Sequence, residues 1–300
     1  MGPDELEGVI AAIVTPFDQA KNLDLAGLHQ LTSFLMDQGV HAIMTTGGTG
    51  EFPSLSRDER KQVTATVVSA AAGRVPVIAG TAACSTAETV ALTQDAQQAG
   101  AAAAIIVAPY YFRLPDAALL AHYRTIARTA SLPIVVYNNP LYTGNNLSPR
   151  LIAALAEEPG IIGLKQSNAD MGQLVEIIRL VGDRISVCTG IDSQFYPALC
   201  VGARGIFSTA ACVVPREMVA ICNGVQQGAY EEARSLHLKL QELNGLFEYD
   251  PGYVAPCKEA LRLLGLPGGP VRAPLPELLP DERRRVREAL LSLGKRMAGS

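Results

Sequence analysis

The chain has 300 residues, 48% hydrophobic and 18% charged, with a mean hydropathy of +0.19. That is enough for one large domain or two ordinary ones with a generous core, and it excludes global disorder, fibrous folds and small disulfide-stapled scaffolds. The 25 basic and 29 acidic residues leave a net charge of -4 and no long basic tract, which excludes the electrostatic footprint of a nucleic-acid binder and leaves a small molecule or another copy of the chain as partner.

Short strand-like runs alternate with longer helix-like segments along the chain. GVIAAIVTPF precedes an amphipathic stretch from Asp24 to Gln38, VHAIMTT precedes Ser56 to Ala72, VPVIAGT precedes Ser85 to Ala99, and AAAIIVAPYY precedes Pro115 to Thr129. The rhythm continues: LPIVVYNNP leads to Ser148 to Glu157, GIIGLK to Met171 to Val181, ISVCTG to Gln194 to Val201, and ARGIFSTA to Pro215 to Gln227. Most of these runs are apolar on successive residues, as strands covered on both faces must be. Ser56 three residues before Glu59 and Ser85 three before Glu88 have the spacing of capping boxes. Eight βα units without a central interruption predict a closed (β/α)8 barrel, a TIM barrel, with a doubly wound open sheet as the alternative.

The expected catalytic barrel covers residues 1–228, and residues 229–300 read as a helical extension packed on it. Tyr230 to Leu246, Pro256 to Leu264 and Asp281 to Met297 are its helices, and LPGGPVRAPLP is a rigid coil between the last two. In the DERRRVREALL run the arginines read as a solvated face, with Val286, Leu290 and Leu291 packed inward. Cys84, Cys188, Cys200, Cys212, Cys222 and Cys257 form no CxxC pair and read as single buried thiols. The opening MGPDELEGVI carries acids where a signal peptide carries a basic segment, and the apolar run from Ala101 to Phe112 is too short to span a bilayer, so a cytoplasmic protein is expected.

Barrel enzymes carry their reacting groups at the C-terminal ends of the strands. Those ends hold Thr15, the loop Gly47 to Glu51, Thr81, Tyr110 and Tyr111, Tyr137 to Asn139, Lys165, Gly190, Asp192, Ser208 and Thr209. Of the six lysines, Lys165 alone ends an otherwise apolar run, whereas Lys239 and Lys258 fall within charged helix patterns and are expected on the surface. A lysine pressed into an apolar cavity has its charged form disfavoured and offers a neutral amine to a carbonyl, giving a Schiff base; the alternative is a lysine that snorkels to solvent or pairs with a carboxylate. Tyr137 ends the preceding strand, 28 residues upstream, where its phenol can exchange protons with a molecule bound at Lys165 or can be purely structural. The GGTGE loop resembles glycine-rich turns that present backbone N–H groups to an anion, but it has neither the lysine of a P-loop nor a dinucleotide fingerprint, so a small carboxylate suits it better than ATP or NAD. The four histidines are scattered and form no metal-ligand pair, so neither metal nor cofactor is expected.

IVTPF, GGTGE, APYY, YNNP and GLKQ, in this order and spacing across essentially the whole chain, resemble the dihydrodipicolinate synthase and N-acetylneuraminate lyase superfamily. The resemblance implies a barrel with C-terminal helices, assembly as a dimer or a tetramer, no dissociable cofactor, and a lysine imine with pyruvate or another 2-oxo acid. Carried onto this sequence it makes Lys165 the imine-forming residue, Tyr137 the general acid/base and Thr49 a hydroxyl relay. It also makes Gly48 and Thr49 the amide donors to the substrate carboxylate, Tyr111 a catalytic tyrosine contributed to the proton relay of the neighbouring subunit, and Phe207 the strand-eight residue whose carbonyl faces the nucleophile's surroundings. Two positions depart from the synthases: Gly48 replaces the first of a threonine pair, which is expected to widen the pocket, and Tyr142 stands where an arginine receives a second carboxylate. A phenol is no substitute for a bidentate guanidinium. The sequence therefore favours a lyase that cleaves or dehydrates a hydroxylated 2-oxo acid, with Tyr142, Ser167 and Asn168 as contacts to its hydroxyls. Condensation of pyruvate with aspartate semialdehyde by a 4-hydroxy-tetrahydrodipicolinate synthase is the alternative, and a non-catalytic 2-oxo-acid binder on the same barrel is a third.

Overall fold

Eight parallel strands hydrogen-bond in sequence order and close on themselves in the computed structural model, which describes residues 1–248 and 252–299. They are β1 (Gly8–Ala12), β2 (Ala42–Thr45), β3 (Val77–Gly80), β4 (Ala103–Val107), β5 (Ile134–Asn138), β6 (Ile161–Gln166), β7 (Ser186–Thr189) and β8 (Gly205–Ser208). Closure comes from β8 against β1, with Gly8 opposite Gly205 and Ile10 opposite Phe207. The expected (β/α)8 barrel is therefore the fold, and the open sheet is excluded. Leu6, Ile10, Met44, Ile78, Ile105, Val135, Ile162, Cys188 and Phe207 belong to one cluster, while a second set that includes Val9, Ile43, Ile106, Val136 and Leu164 packs with residues of the surrounding helices. These two coverings explain why the strand runs are apolar at successive positions.

The helices among the described residues are α1 (Leu25–Asp37), α2 (Arg57–Ala71), α3 (Thr86–Gln98), α4 (Asp116–Thr129), α5 (Pro140–Thr143), α6 (Pro149–Leu155), α7 (Met171–Val181), α8 (Phe195–Cys200), α9 (Pro215–Gln226), α10 (Tyr230–Lys239), α11 (Gln241–Glu248), α12 (Val254–Leu263) and α13 (Pro280–Ser292). Ser56 and Glu59 form a reciprocal capping box; at α3 the Ser85 side chain accepts from the Glu88 amide. The single helix expected from Tyr230 to Leu246 divides at Leu240, and the short α5 after β5 is an addition to the expected elements. No helix among the described residues is long and apolar enough to cross a membrane.

Three expectations are corrected. Leu291 is 51% exposed, so α13 packs through Val286, Ala289 and Leu290 instead. Cys84 and Cys200 are exposed, unlike the other four cysteines. Lys258 is buried, not on the surface: its ammonium lies 2.5 Å from Glu51 Oε1, donates to the Pro270 carbonyl at 2.9 Å and sits 4.3 Å from the Phe17 ring centroid. The charged pattern of α12 is misleading because a buried carboxylate from the barrel is waiting for this one lysine. Burial lowers the Lys258 ammonium to about 8 against the opposing pull of Glu51.

Lys258→Met should cost about 3–5 kcal/mol, because it leaves Glu51 buried without a counter-charge. A Glu51→Leu/Lys258→Met double variant should recover much of that loss. Urea midpoints of the three proteins measure both effects, and an unchanged midpoint in Lys258→Met would refute the role of the pair.

Candidate active site

Tyr137 and Lys165 are register partners on β5 and β6, so their side chains leave neighbouring strands on the same side of the sheet. The Lys165 ammonium lies 4.4 Å from the Tyr137 ring centroid and 5.6 Å from that of Phe207, and the lysine is 6% exposed. Room for it comes from Gly190 at the end of β7, where a Cβ would collide with the Lys165 chain and the Ser167 hydroxyl. Cys188, the β7 residue opposite Lys165, is fully buried; burial pushes its thiol up to about 12 and keeps it protonated.

A cavity of about 260 Å³ opens above Lys165, lined among others by Gly48, Thr49, Tyr137, Asn139, Tyr142, Ser167, Asp192, Glu248 and Tyr253. A second chamber of about 300 Å³ shares Gly48, Tyr137, Asn139, Tyr142 and Tyr253 with it and extends to Phe52, Tyr110 and Leu275. The Tyr137 hydroxyl accepts from Asn139 Nδ2 at 2.9 Å. Burial raises this phenol, but the Lys165 charge and contacts with Ser167, Asn139 and Lys165 outweigh it and hold the phenol below its ordinary value. Thr49 Oγ1 lies 3.0 Å from Thr209 Oγ1. A larger cavity of about 370 Å³, beside Lys258 and the coil from Leu266 to Val271, contains none of the expected site residues.

The structure thus brings Lys165, Tyr137, Gly48, Thr49, Tyr142 and Ser167 to one cavity, with Phe207 beneath. Asn168 turns away: its amide donates to Gln173 Oε1 and, at 3.3 Å, to Asn146. Tyr111 lines neither chamber and is 85% exposed. The expectation that Gly48 widens the pocket is corrected, because a Cβ at this position would meet the Tyr253 hydroxyl, which occupies the vacated space. Tyr253 and Glu248 were not legible as site residues, since both lie beyond the last strand and outside any motif. The one signal for Tyr253 was a glycine standing where a hydroxylated side chain was expected.

Asp192 anchors the far wall. It accepts from the Ser208 hydroxyl and from the Thr209 and Ala210 amides at 3.2 and 3.1 Å. Glu248 is bonded to the Ser193 amide at 2.6 Å and to the Ser193 hydroxyl at 2.7 Å. Burial, reinforced by Glu248, pushes the Asp192 carboxyl up to about 6 against the hydrogen bonds and Lys165. No group of His, Cys, Asp or Glu among the described residues is arranged to hold a metal ion.

The model of the dihydrodipicolinate synthetase family matches residues 5–293. The chain belongs to that family. It is 40% identical over 291 residues to the 4-hydroxy-tetrahydrodipicolinate synthase of Methanoculleus marisnigri, an alignment covering 96% of this chain and 99% of the relative. The synthase of Methanospirillum hungatei is 38% identical over 287 residues, 95% of this chain and 98% of the relative. Among solved structures, the chloride-inhibited dihydrodipicolinate synthase of Acinetobacter baumannii, complexed with pyruvate, superposes with a TM-score of 0.93 at 34% identity, covering 97% of this chain and 99% of that one. Family membership makes the protein a lyase of the pyruvate-dependent class I aldolase type, which works through a lysine imine and not through a metal or a dissociable cofactor.

A carboxyl raised in the fold stabilises it fully below the ordinary value of 3.8, and that contribution is lost as pH rises through about 6. Between pH 4 and pH 7 the wild type should therefore lose up to about 3 kcal/mol relative to Asp192→Asn. Parallel urea titrations at the two pH values measure the difference, and identical pH slopes would contradict it.

Proposed function

We propose that Lys165 forms the imine with pyruvate and that Tyr137 moves the proton that interconverts imine and enamine. The buried amine beside a phenol held below its ordinary value supports these roles. The Gly48 and Thr49 amides belong to the loop lining the cavity and would receive the pyruvate carboxylate. The enamine then attacks the aldehyde of aspartate semialdehyde, the reaction of a 4-hydroxy-tetrahydrodipicolinate synthase. The observation that carries this reading is the pair of chambers meeting at Tyr137, which offers separate room for two small substrates; the full-length similarity to curated synthases supports it.

A second reading, cleavage or dehydration of a hydroxylated 2-oxo acid, is favoured by the charge of the walls. Among the described residues lining the two chambers, Lys165 is the only lysine or arginine, whereas Asp192 and Glu248 are acids and Glu51 is already paired with Lys258. A second free carboxylate would lose hydration there without gaining a charge-assisted pair, while hydroxyls could donate to Glu248 or bond to Tyr142.

Two exposed rings, Tyr111 and Phe112, favour a second copy of the chain as a partner. Tyr111 is held at a φ of 86°, a conformation unusual for a residue other than glycine, and stacks edge-on against the exposed Phe112. Covering both rings in an interface between copies would suit the expected dimer or tetramer. Tyr111→Ala should then weaken self-association in sedimentation; an unchanged distribution would refute the contact.

Borohydride with pyruvate should add one reduced pyruvyl group to Lys165 and none to Lys165→Ala, read by intact mass and peptide mapping. Tyr137→Phe should keep the adduct and lose about 10²- to 10⁴-fold in turnover. The kcat/KM for the condensation, set against that for a panel of hydroxylated 2-oxo acids, decides between the two readings. Efficient condensation establishes the synthase, and turnover of the hydroxylated acids alone replaces it.

A further inference from the structure

Tyr253 enters the site from just ahead of α12, and its ring lies 6.2 Å from that of Tyr142. Its hydroxyl stands where a side chain on Gly48 would begin, and it makes a polar contact with the Thr49 side chain. The residue belongs to the walls of both chambers. A phenol in this place restores a hydroxyl to a loop whose glycine carries none. We propose that Tyr253 takes the place of a hydroxyl at position 48 and, with Thr49, passes protons between the imine chamber and the outer chamber.

The two phenols of the cavity suit different parts in this transfer. Tyr137 is held below its ordinary value, whereas Tyr253 is pushed well above it by burial and by the neighbouring Tyr137 and Tyr142. Tyr137 is thus the more readily ionised of the two, and Tyr253 the one better kept as a neutral hydroxyl that both donates and accepts. The inference rests on the imine reading above. When the imine becomes the enamine, a C–H bond at the pyruvate methyl breaks, its electron pair forms the C=C bond and the positive charge on nitrogen is neutralised; the proton goes to the Tyr137 phenolate. Tyr137 is reset when that proton moves through a bridging water, Thr49 and Tyr253 to water in the outer chamber. Each relay hydroxyl gives one proton and takes one, so no charge is left on it.

Exchange of the pyruvate methyl hydrogens in D2O, followed by proton NMR, reads this transfer without any second substrate. Tyr253→Phe keeps the ring and removes only the hydroxyl. It should still form the borohydride adduct at Lys165 and should slow exchange by about 10²-fold, the lower end for a positioned acid/base group. Tyr253→Ala should lose exchange similarly, and adding Gly48→Thr to it should regain at least about tenfold by returning a hydroxyl to the vacated space. Wild-type exchange in Tyr253→Phe would overturn the proposal. So would a parallel loss of adduct and exchange, which would make the residue structural, or a double variant no faster than Tyr253→Ala. Absence of the adduct from the wild type is a separate result that overturns the imine reading itself.

Discussion

The mouth of the barrel depends on one buried carboxylate. Glu51 closes the GGTGE turn with a left-handed backbone at φ 56°, which a non-glycine residue adopts only when its surroundings hold it. Those surroundings are supplied from the far end of the chain: Lys258 on α12 pairs with one oxygen, and the Arg272 amide donates to the other at 2.9 Å. Arg272 also clasps Glu59 on α2 and donates to the Ser54 and Lys21 carbonyls. The loop that presents Gly48 and Thr49 is thus fixed by the helical extension as much as by the barrel. The residues beyond the last strand thus act on the cavity mechanically, because their contacts with Glu51 brace the loop whose Gly48 and Thr49 line it.

The same dependence explains what was legible in the sequence. Strand and helix alternation is a local signal, repeated eight times, and closure follows from the count; Lys165 and Tyr137 stand out because each ends an apolar strand. Lys258 carried the opposite signal, a charge within a helix of mixed polarity, and its partner lies more than two hundred positions away. Tyr253 is invisible for the same reason. Its role is a matter of filling space left by Gly48, and a single sequence records the space and the filler as two unrelated letters. Gly190 was legible only as a strand end, although its missing Cβ lets Lys165 extend. Chemistry-bearing residues that sit on regular elements are found by periodicity, whereas those that complete a cavity from a distance are found only by packing.

The electrostatics of the cavity divide it in depth. Lys165 and Tyr137 form a compact, buried couple in which the cation draws the phenol down. The far wall is acidic and braced: Asp192 and Glu248 are occupied with amides and hydroxyls of the β7 and β8 loops. The cavity therefore has Lys165 at one end and carboxylate acceptors at the other. Family membership establishes the pyruvate-dependent class I aldolase type, and the acidic wall stands on the other side of the cavity from Lys165.

The steric exclusion between Gly48 and Tyr253 also constrains how this sequence can change. A side chain added at position 48 forces the Tyr253 phenol to shift, and removing the phenol first leaves a void beside Gly48. Each single step is therefore penalised, although the two together need not be. Positions 48 and 253 should drift as a linked pair in descendants of this chain, and a graft of either residue alone into a relative should fail where the paired graft succeeds.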